Sequence, residues 1–498
     1  MLRSSYDVVI VGTDLPGLVF GALAAKKGYR VLVLGHGGKE NVYVIEGHHF
    51  VRRPHLLFGF ADSNPIREVF RELALAPEMR NLPRPLSPNC SVILPDSRIE
   101  ITHMKGIFEE EIAREFPGQL ASFRDFASRL PDVESHMEPI LAERPILPPA
   151  SFREILDFRR HAKTIAPLAT AVGSDGLAPF GDDPRMRAFL SAPIAAMSGL
   201  SSPWLHPLPF VRLMNHLMRG LFFVEWGFDA LKNLFLERIK NNSGDVRLND
   251  HVDMLVLKRS RVNEVEVRAR DEAIGVGVLV IGSRLSDALD LIPEPQAKRR
   301  YRARVEKVTP SHYMTTLNVG ANREVIPEGM AKTGFVVANP GRPLEGSNYL
   351  VVQTDPAMEP LEGLDPARAT ISVSAFMPAD RLDGKASTIE RLNNEMLESL
   401  RGALPFLDRH RTVISSAALT THPKTGKPII DMAGLQPIYD APVARSLDMV
   451  TWPVRTAYKN VLFLGDDSAG PLGFEGAFVS AFMAFDVLKK LIQLKNVM

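Results

Sequence analysis

Asp7-Val8-Val9-Ile10-Val11-Gly12-Thr13-Asp14-Leu15-Pro16-Gly17 opens a run that continues through Gly28 to Tyr29-Arg30-Val31-Leu32-Val33-Leu34. The β-branched stretch 7–11, ending at a glycine, reads as a buried parallel strand. Pro16 to Lys27 reads as a helix stopped by Gly28, and 29–34 as a second buried strand. Residues 1–35 are therefore a β-α-β unit, with a crossover about as short as such units allow. A strand that ends in glycine and opens onto a helix presents free backbone N–H groups at the positive end of the helix dipole, where a dinucleotide pyrophosphate binds if glycines permit close approach. Of the expected G-x-G-x-x-G, Gly12 and Gly17 fill the first and third positions, while Asp14 stands at the second, where a Cβ obstructs a phosphate and a carboxylate repels it. Gly35 stands at the end of the second strand, where an acidic residue would bind ribose hydroxyls.

Outward from that unit, composition bounds the rest. The chain has 498 residues, 59 basic and 58 acidic, for a formal charge of +1. That balance supplies no field to recruit nucleic acid, which needs clustered Lys and Arg. With 45% hydrophobic residues the chain can bury sizeable cores, and its length allows two or three domains. The single cysteine, Cys90, excludes an internal disulfide framework and suits a reducing, cytoplasmic setting. Residues 8–25 contain Asp14 and Pro16 and lack a basic leader, so a buried strand and helix fit better than a membrane span. Residues 188–223 are too often interrupted by Ser, Pro, His and Arg to cross a bilayer, which leaves peripheral membrane contact as an open expectation.

Further along, residues 105–220 turn helical, with breaks expected at Phe116-Pro117, Pro131, Pro145 and Pro148-Pro149 and an apolar helix over 186–200. Gly227 to Lys240 places Leu231, Leu234, Phe235 and Ile239 on one helical face, Val246 to Leu257 alternates like one strand, and Val265 to Ala269 alternates again. Val276 to Ile281 is a wholly apolar strand closing at Gly282. Residues 301–449 mix strands at 312–319, 348–353 and 370–376 with an amphipathic helix carrying Ile389, Leu392, Met396, Leu397 and Leu400. Asn460 to Leu464 is a buried strand running into Gly465-Asp466, and a last helix is predicted from about Glu475 to Leu494.

Taken in order, the N-terminal unit, Gly37-Gly38-Lys39 with Gly47-His48-His49-Phe50 and Pro54-His55, Trp226-Gly227-Phe228 leading to Val252, the strand 276–282, and Asn460 to Asp466 with Gly473, Gly476, Ala477 and Ser480 resemble the FAD-dependent amine oxidase and phytoene desaturase group of flavoproteins. That resemblance implies an α/β fold: a Rossmann-like FAD/NAD(P)-binding domain with a parallel sheet (1–104, 220–300 and 450–498), interleaved with a mixed-sheet and helical substrate domain (105–219 and 301–449). It implies that Asp466 accepts from a flavin ribityl chain, that Val252 meets adenine, and that Gly473 and Gly476 let the last helix approach the isoalloxazine. Gly12, Gly17, Gly38 and Gly465 belong to the same cofactor-binding set, and the helical insert resembles the desaturase and isomerase branch.

The departures from that pattern, Asp14, Gly35, a shortened connection to Gly37-Gly38, and Arg52-Arg53 before Pro54, surround the expected cofactor. A lost charge-assisted ribose contact costs on the order of 1.5–3 kcal/mol. A carboxylate about 5 Å from a phosphate costs roughly 3 kcal/mol at an effective dielectric near 20. Together these weaken binding by about a thousandfold or more, unless Arg52 or Arg53 reaches the pyrophosphate; the plain reading of the two is a solvated pair. The helix dipole is expected to keep Asp14 ionised, and an aspartate there is suited to cap the helix. Two readings stay open. One is an FAD-dependent oxidoreductase acting on an apolar, isoprenoid- or lipid-like substrate. The other is a protein that has lost FAD and forms complexes with protein partners, as the Rab GDP-dissociation inhibitors do on a similar architecture. Catalytic side chains are not identified. His48, His49 and His55 lack carboxylate or cysteine partners at metal spacing, so no metal is expected, and Cys90 is expected to be buried rather than nucleophilic.

Overall fold

The computed structural model describes residues 4–358, 366–441 and 448–497. Strand β1 (Ser5–Val11), helix α1 (Leu15–Lys26) and strand β2 (Val31–Leu34) form the opening unit. The β-branched run is apolar throughout because both its faces are covered: Val8 and Ile10 point into one core cluster, Val9 and Val11 into another. Around β1 a seven-stranded sheet assembles, with Asp245–Arg247, β2, β1 and Glu272–Ile281 in that order, and all these pairs are parallel. Val461–Phe463 adds a further parallel strand on Glu272–Ile281, bringing Ile281 opposite Phe463. The carboxyl ends of β1, Glu272–Ile281 and Val461–Phe463 thus meet at one edge, where ligands of open α/β sheets bind.

Helix α1 packs on helix α2 (Gly227–Asn241) and on helix α3 (Gly473–Val497). Gly21 permits the first approach: an added Cβ would lie 3.0 Å from Ile239 Cδ1. The second, eight-stranded sheet is mostly antiparallel and is centred on His312–Asn322 and Arg368–Pro378. Ile389, Leu392, Met396, Leu397 and Leu400 of helix Ala386–Leu400 cover one of its faces. The opposite face, through Met314, Tyr349 and Phe376, joins the large core shared with the helical insert. In that insert, helix Pro184–Met197 is capped by Asp183, which accepts from Arg185 N (3.0 Å) and Met186 N (3.1 Å).

The α/β class and the interleaving of two sheets agree with the sequence, and three details are corrected. Val246 to Leu257 is two strands, Asp245–Arg247 and Met254–Lys258, which pair with different neighbours on opposite sides of the sheet. Pro131 does not break the insert, because helix Leu120–Ala142 runs through Pro131 and Pro139. Its buried Phe123, Phe126, Leu130, Val133 and Met137 hold it against the core, and that packing outweighs the lost backbone bonds. The hairpin Cys90–Leu94 with Ser97–Ile101, placed within the 1–104 segment of the dinucleotide unit, instead extends the second sheet by parallel pairing with Thr333–Val337. Strand periodicity does not encode which edge a hairpin joins. Among the described residues one helical stretch, Gly470–Ile492, is long and apolar enough to cross a membrane, and most of it is buried within the fold.

Candidate dinucleotide site

A cleft of about 400 Å3 starts at the carboxyl edge of the parallel sheet and ends between α3 and the second sheet. Its outer part is walled by Gly12 to Leu15 and Gly35 to Lys39, its middle by Arg53, Phe228, Lys232 and Asp466, and its inner part by Met197 to Gly199, Met314, Tyr439, Gly473 and Phe474. The volume lies within the range of small-molecule sites. Of the residues singled out in the sequence, Gly12, Asp14, Gly35, Gly38, Arg53, Asp466 and Gly473 line it. Gly17, Gly465 and Gly476 are buried behind it in packing contacts: an added Cβ at these positions would meet Gly282 Cα, Ser283 O and Ala469 O respectively. Val252 also stands off the lining, and its N–H donates to His36 Nδ1 at 3.1 Å. Burial and the neighbouring His251 hold the His36 imidazole below its usual pKa, so it remains an acceptor.

Two glycines are dictated by space. At Gly35 a Cβ would lie 1.9 Å from Leu248 O, because residues 245–250 close on the end of β2 through Gly35 N to Arg247 O (3.0 Å) and His36 N to Asp250 O (3.0 Å). No acidic side chain fits there. Gly473 has φ +55°, and its Cβ would lie 1.9 Å from Met197 O, so only glycine brings the start of α3 to the cleft.

The centre of the cleft is a reciprocal pair of aspartates. Asp14 is the N-cap residue of α1 but its side chain makes no cap bond; Oδ2 accepts the Asp466 N–H at 2.9 Å. Asp466 Oδ1 in turn accepts the Leu15 N–H at 3.1 Å, and Arg53 donates to Asp466 Oδ2 at 2.5 Å. The expected capping by Asp14 is thus replaced by capping from Asp466, 451 residues away in sequence. The expectation that the dipole keeps Asp14 ionised is also corrected. Burial and the neighbouring Asp466 charge push its pKa up to about 7, whereas the half-buried Asp466 is held below the ordinary range by Arg53, Lys232 and the Leu15 N–H. Asp466 has claimed the closest cation and the helix end, so a second negative charge on Asp14 is disfavoured.

The arginines are not a solvated pair. The Arg53 guanidinium also lies 4.5 Å from the Phe228 ring, and its side chain is only 19% exposed. Arg52 lies over Tyr43 at 4.9 Å, donates to Glu40 O and sits 3.5 Å from Asp431, which also pairs with Lys39 at 2.7 Å. Arg284 donates to Met432 O and Leu435 O. Lys39, Arg52 and Arg284 thereby tie the segment 431–435 of the second unit across the cleft mouth.

Sequence reasoning missed Lys232, Arg284, Asp431 and the pair Tyr439–Asp467. The Tyr439 hydroxyl donates to Asp467 Oδ2 at 2.9 Å, and burial pushes the Asp467 carboxyl up to about 6. Asp467 could have been found from its place beside Asp466, whereas Tyr439 carries no local signal. Cys90 is buried, and burial pushes its thiol pKa up, as expected for a structural cysteine.

With this geometry in hand, known proteins give a consistent picture. The family described as NAD(P)-binding Rossmann-like domain matches residues 10–73. Prolycopene isomerase 1 of an Oncidium hybrid cultivar is 21% identical over 372 residues, covering 71% of this chain and 62% of that protein. The Arabidopsis thaliana prolycopene isomerase is 20% identical over 438 residues, covering 81% and 71%. Both are chloroplastic proteins by name. Among solved structures, an oxidoreductase from Methanosarcina mazei superposes with a TM-score of 0.61 at 15% identity, covering 97% of this chain and all of that one. Putrescine oxidase bound to putrescine gives 0.59 at 16%, covering 99% and all of that chain. Cyclohexylamine oxidase from Brevibacterium oxydans gives 0.57 at 15%, covering 98% and 99%. The N-terminal unit has the Rossmann-like fold, and the chain as a whole has the fold of the amine oxidases.

Proposed function

We propose that the cleft holds an FAD-type dinucleotide and that the chain is a flavin-dependent oxidoreductase of the desaturase or isomerase kind, acting on an apolar, isoprenoid- or lipid-like molecule at the inner end. The observation that supports this best is the continuity of one cleft from the carboxyl edge of a Rossmann sheet to the start of α3. The residues fit the group if Asp14 carries a proton. Asp14, Asp466, Arg53 and Lys232 then sum to one positive charge facing the phosphates, and an Asp14 hydroxyl could donate to them. Gly12, Gly38, Arg53 and Lys232 would hold the pyrophosphate, Asp466 the ribityl chain, and His36 the adenine end. When bound, the flavin supplies a two-electron acceptor, and the protein's share is placement and exclusion of water. Met197, Met314 and Phe474 offer apolar surface for that purpose, and Tyr439 with Asp467 holds a proton at its hydroxyl. A cytoplasmic setting and peripheral membrane contact belong to the same proposal, as does the absence of a nucleic-acid partner.

A second reading, a dinucleotide-free protein that binds protein partners, is favoured by two specific contacts. Two N–H groups that phosphates would use, those of Leu15 and Asp466, are already satisfied by the chain's own carboxylates. Visible absorbance before and after incubation with excess FAD separates the two. Flavin bands and a raised melting temperature are expected, and a colourless protein whose melting FAD does not move sinks the oxidoreductase reading. Well above pH 7, where Asp14 is ionised, Asp14→Gly is expected to strengthen FAD binding by about tenfold or more; unchanged affinity there would mean that the phosphate seat is closed.

A further inference from the structure

A second cavity, of about 310 Å3, lies beside the cleft, and three stretches of chain pass from one to the other. On strand His312–Asn322, Met314 faces the cleft and His312 the cavity, two residues apart and so on the same side of the sheet. Ser198 and Gly199 line the cleft, Ser201 and Ser202 the cavity; Tyr439 lines the cleft, Asp440 the cavity. The boundary is a single β-bridge between Leu200 and Tyr439, closed by Ser201 N to Tyr439 O (2.9 Å) and Tyr439 N to Gly199 O (3.0 Å).

The cavity wall is apolar at Leu177, Trp204, Leu344 and Phe376. Most of its charges are already engaged. Glu345 faces His312 at 3.4 Å and Arg381 at 3.5 Å, Asp440 accepts from Ser201 at 2.8 Å, and Arg187 pairs with Asp175 at 2.7 Å. Arg342 is exposed on the rim, and among the described residues none pairs with its guanidinium. A chamber that is apolar on one wall, with one free fork-shaped cation at its mouth, matches an anion-headed, apolar-tailed molecule.

We propose that this cavity is a vestibule for a single-chain amphiphile whose carboxylate or phosphate head is held by Arg342 and whose tail lies on Trp204 and Leu344, directed at the Leu200–Tyr439 bridge and the cleft beyond. Its direction of travel rests on the cleft being the reaction centre, whereas recognition of the head does not.

cis-Parinaric acid, a fluorescent polyene fatty acid, and its methyl ester test this on the full chain. Binding of the acid is expected to raise polyene emission and quench tryptophan. Trp204→Phe is expected to remove most of that quenching while the polyene gain persists. The acid is expected to bind about fivefold more tightly than the ester, the scale of one partly exposed ion pair, and Arg342→Gln to bring the acid to the ester's affinity. Equal binding of acid and ester by the unmodified protein, an unchanged ratio in Arg342→Gln, or quenching that survives Trp204→Phe would each overturn the proposal. Competition with palmitate and with palmitoyl lysophosphatidate distinguishes the two head groups; displacement by either supports the assignment, and displacement by neither defeats it. A chain that takes up no FAD yet keeps the acid-to-ester ratio leaves the vestibule standing and the flavin reading fallen.

Discussion

Asp14 and Asp466 each accept the other segment's backbone N–H, so a carboxylate already sits where a helix end would meet a phosphate. Two like charges this close cannot both be comfortable, and Asp14 is the one that gives way, with a pKa near 7. The consequence for binding has a definite sign. A dinucleotide disfavours the ionised form, so FAD affinity is expected to be highest below pH 7 and to fall by up to about tenfold per unit above it. Asp14→Asn should flatten that dependence, which flavin fluorescence titrations between pH 6 and 9 would register. At this scale the sequence was partly legible: the misplaced carboxylate of Asp14 and the missing acid at Gly35 stood out. What each did with its neighbours was not, since Leu248 closing on Gly35 and Asp466 capping α1 are contacts between segments more than two hundred residues apart.

Helix α3 presents its first turn to the cleft and is anchored there by buried ions. Glu475 accepts from Arg212 at 2.6 and 2.8 Å, from Ser63 at 2.5 Å and faces His216 at 3.2 Å, while Arg212 also reaches Glu134 and Glu138. Glu475, Arg212 and His216 have fully buried side chains. Removing one partner strands a charge without solvent, so Arg212→Met is expected to cost about 3–5 kcal/mol, and Arg212→Met with Glu475→Gln distinctly less. Urea unfolding of the single and double variants measures the difference. Gly473→Ala should cost about 2 kcal/mol or more, from the positive φ and the approach to Met197 O, and should also weaken FAD binding by displacing the helix start. Equal stability of Gly473→Ala and the unmodified chain would show that the backbone there can relax. Element types were readable where period and punctuation agreed: β1, α1 and β2 fall within two residues of their expected bounds. Val246 to Leu257 misled because alternation persists across the turn at 248–253, where the chain changes neighbours.

For the whole molecule, the charged contacts combine into a pH profile. Burial alone would lower the His216 pKa, but Glu475 and Asp62 raise it to about 8, above its unfolded value of 6.5. That stabilisation is full below pH 6.5 and lost as pH rises through 8, and it amounts to about 2 kcal/mol. Asp14, with its raised pKa, likewise loses stability as pH rises through 7. Glu475 and Glu154 act oppositely: although buried, they are held well below the carboxylate range by Arg212 and His216, and by Arg455 and Lys490, so their stabilisation fails on acidification below about 4.5. Glu154 does so across the molecule, joining the helical insert to Arg455 at 2.8 Å and to Lys490 of α3 at 2.8 Å. The melting temperature is therefore expected to peak at about pH 5–6.5 and decline toward pH 9, with His216→Gln reducing the slope between 6.5 and 8.5. A profile still rising at pH 8 in differential scanning would contradict the assigned network.

The sequence by itself determined the class of fold and pointed to where the candidate cleft lies, because both depend on short-range patterns: apolar runs buried on two faces, glycines at strand ends, and a β-α-β unit at the start. Only the tertiary structure decided what the site contains. Whether Asp14 repels a phosphate, caps a helix or takes up a proton beside Asp466 depends on the 2.9 Å contact that the sheet order creates between the ends of the first and last parallel strands. The destination of the 90–101 hairpin and the cavity beyond the Leu200–Tyr439 bridge depend likewise on pairings between distant segments. Local periodicity specifies which face of a segment is apolar, while the partner that covers it is selected by packing of the whole chain.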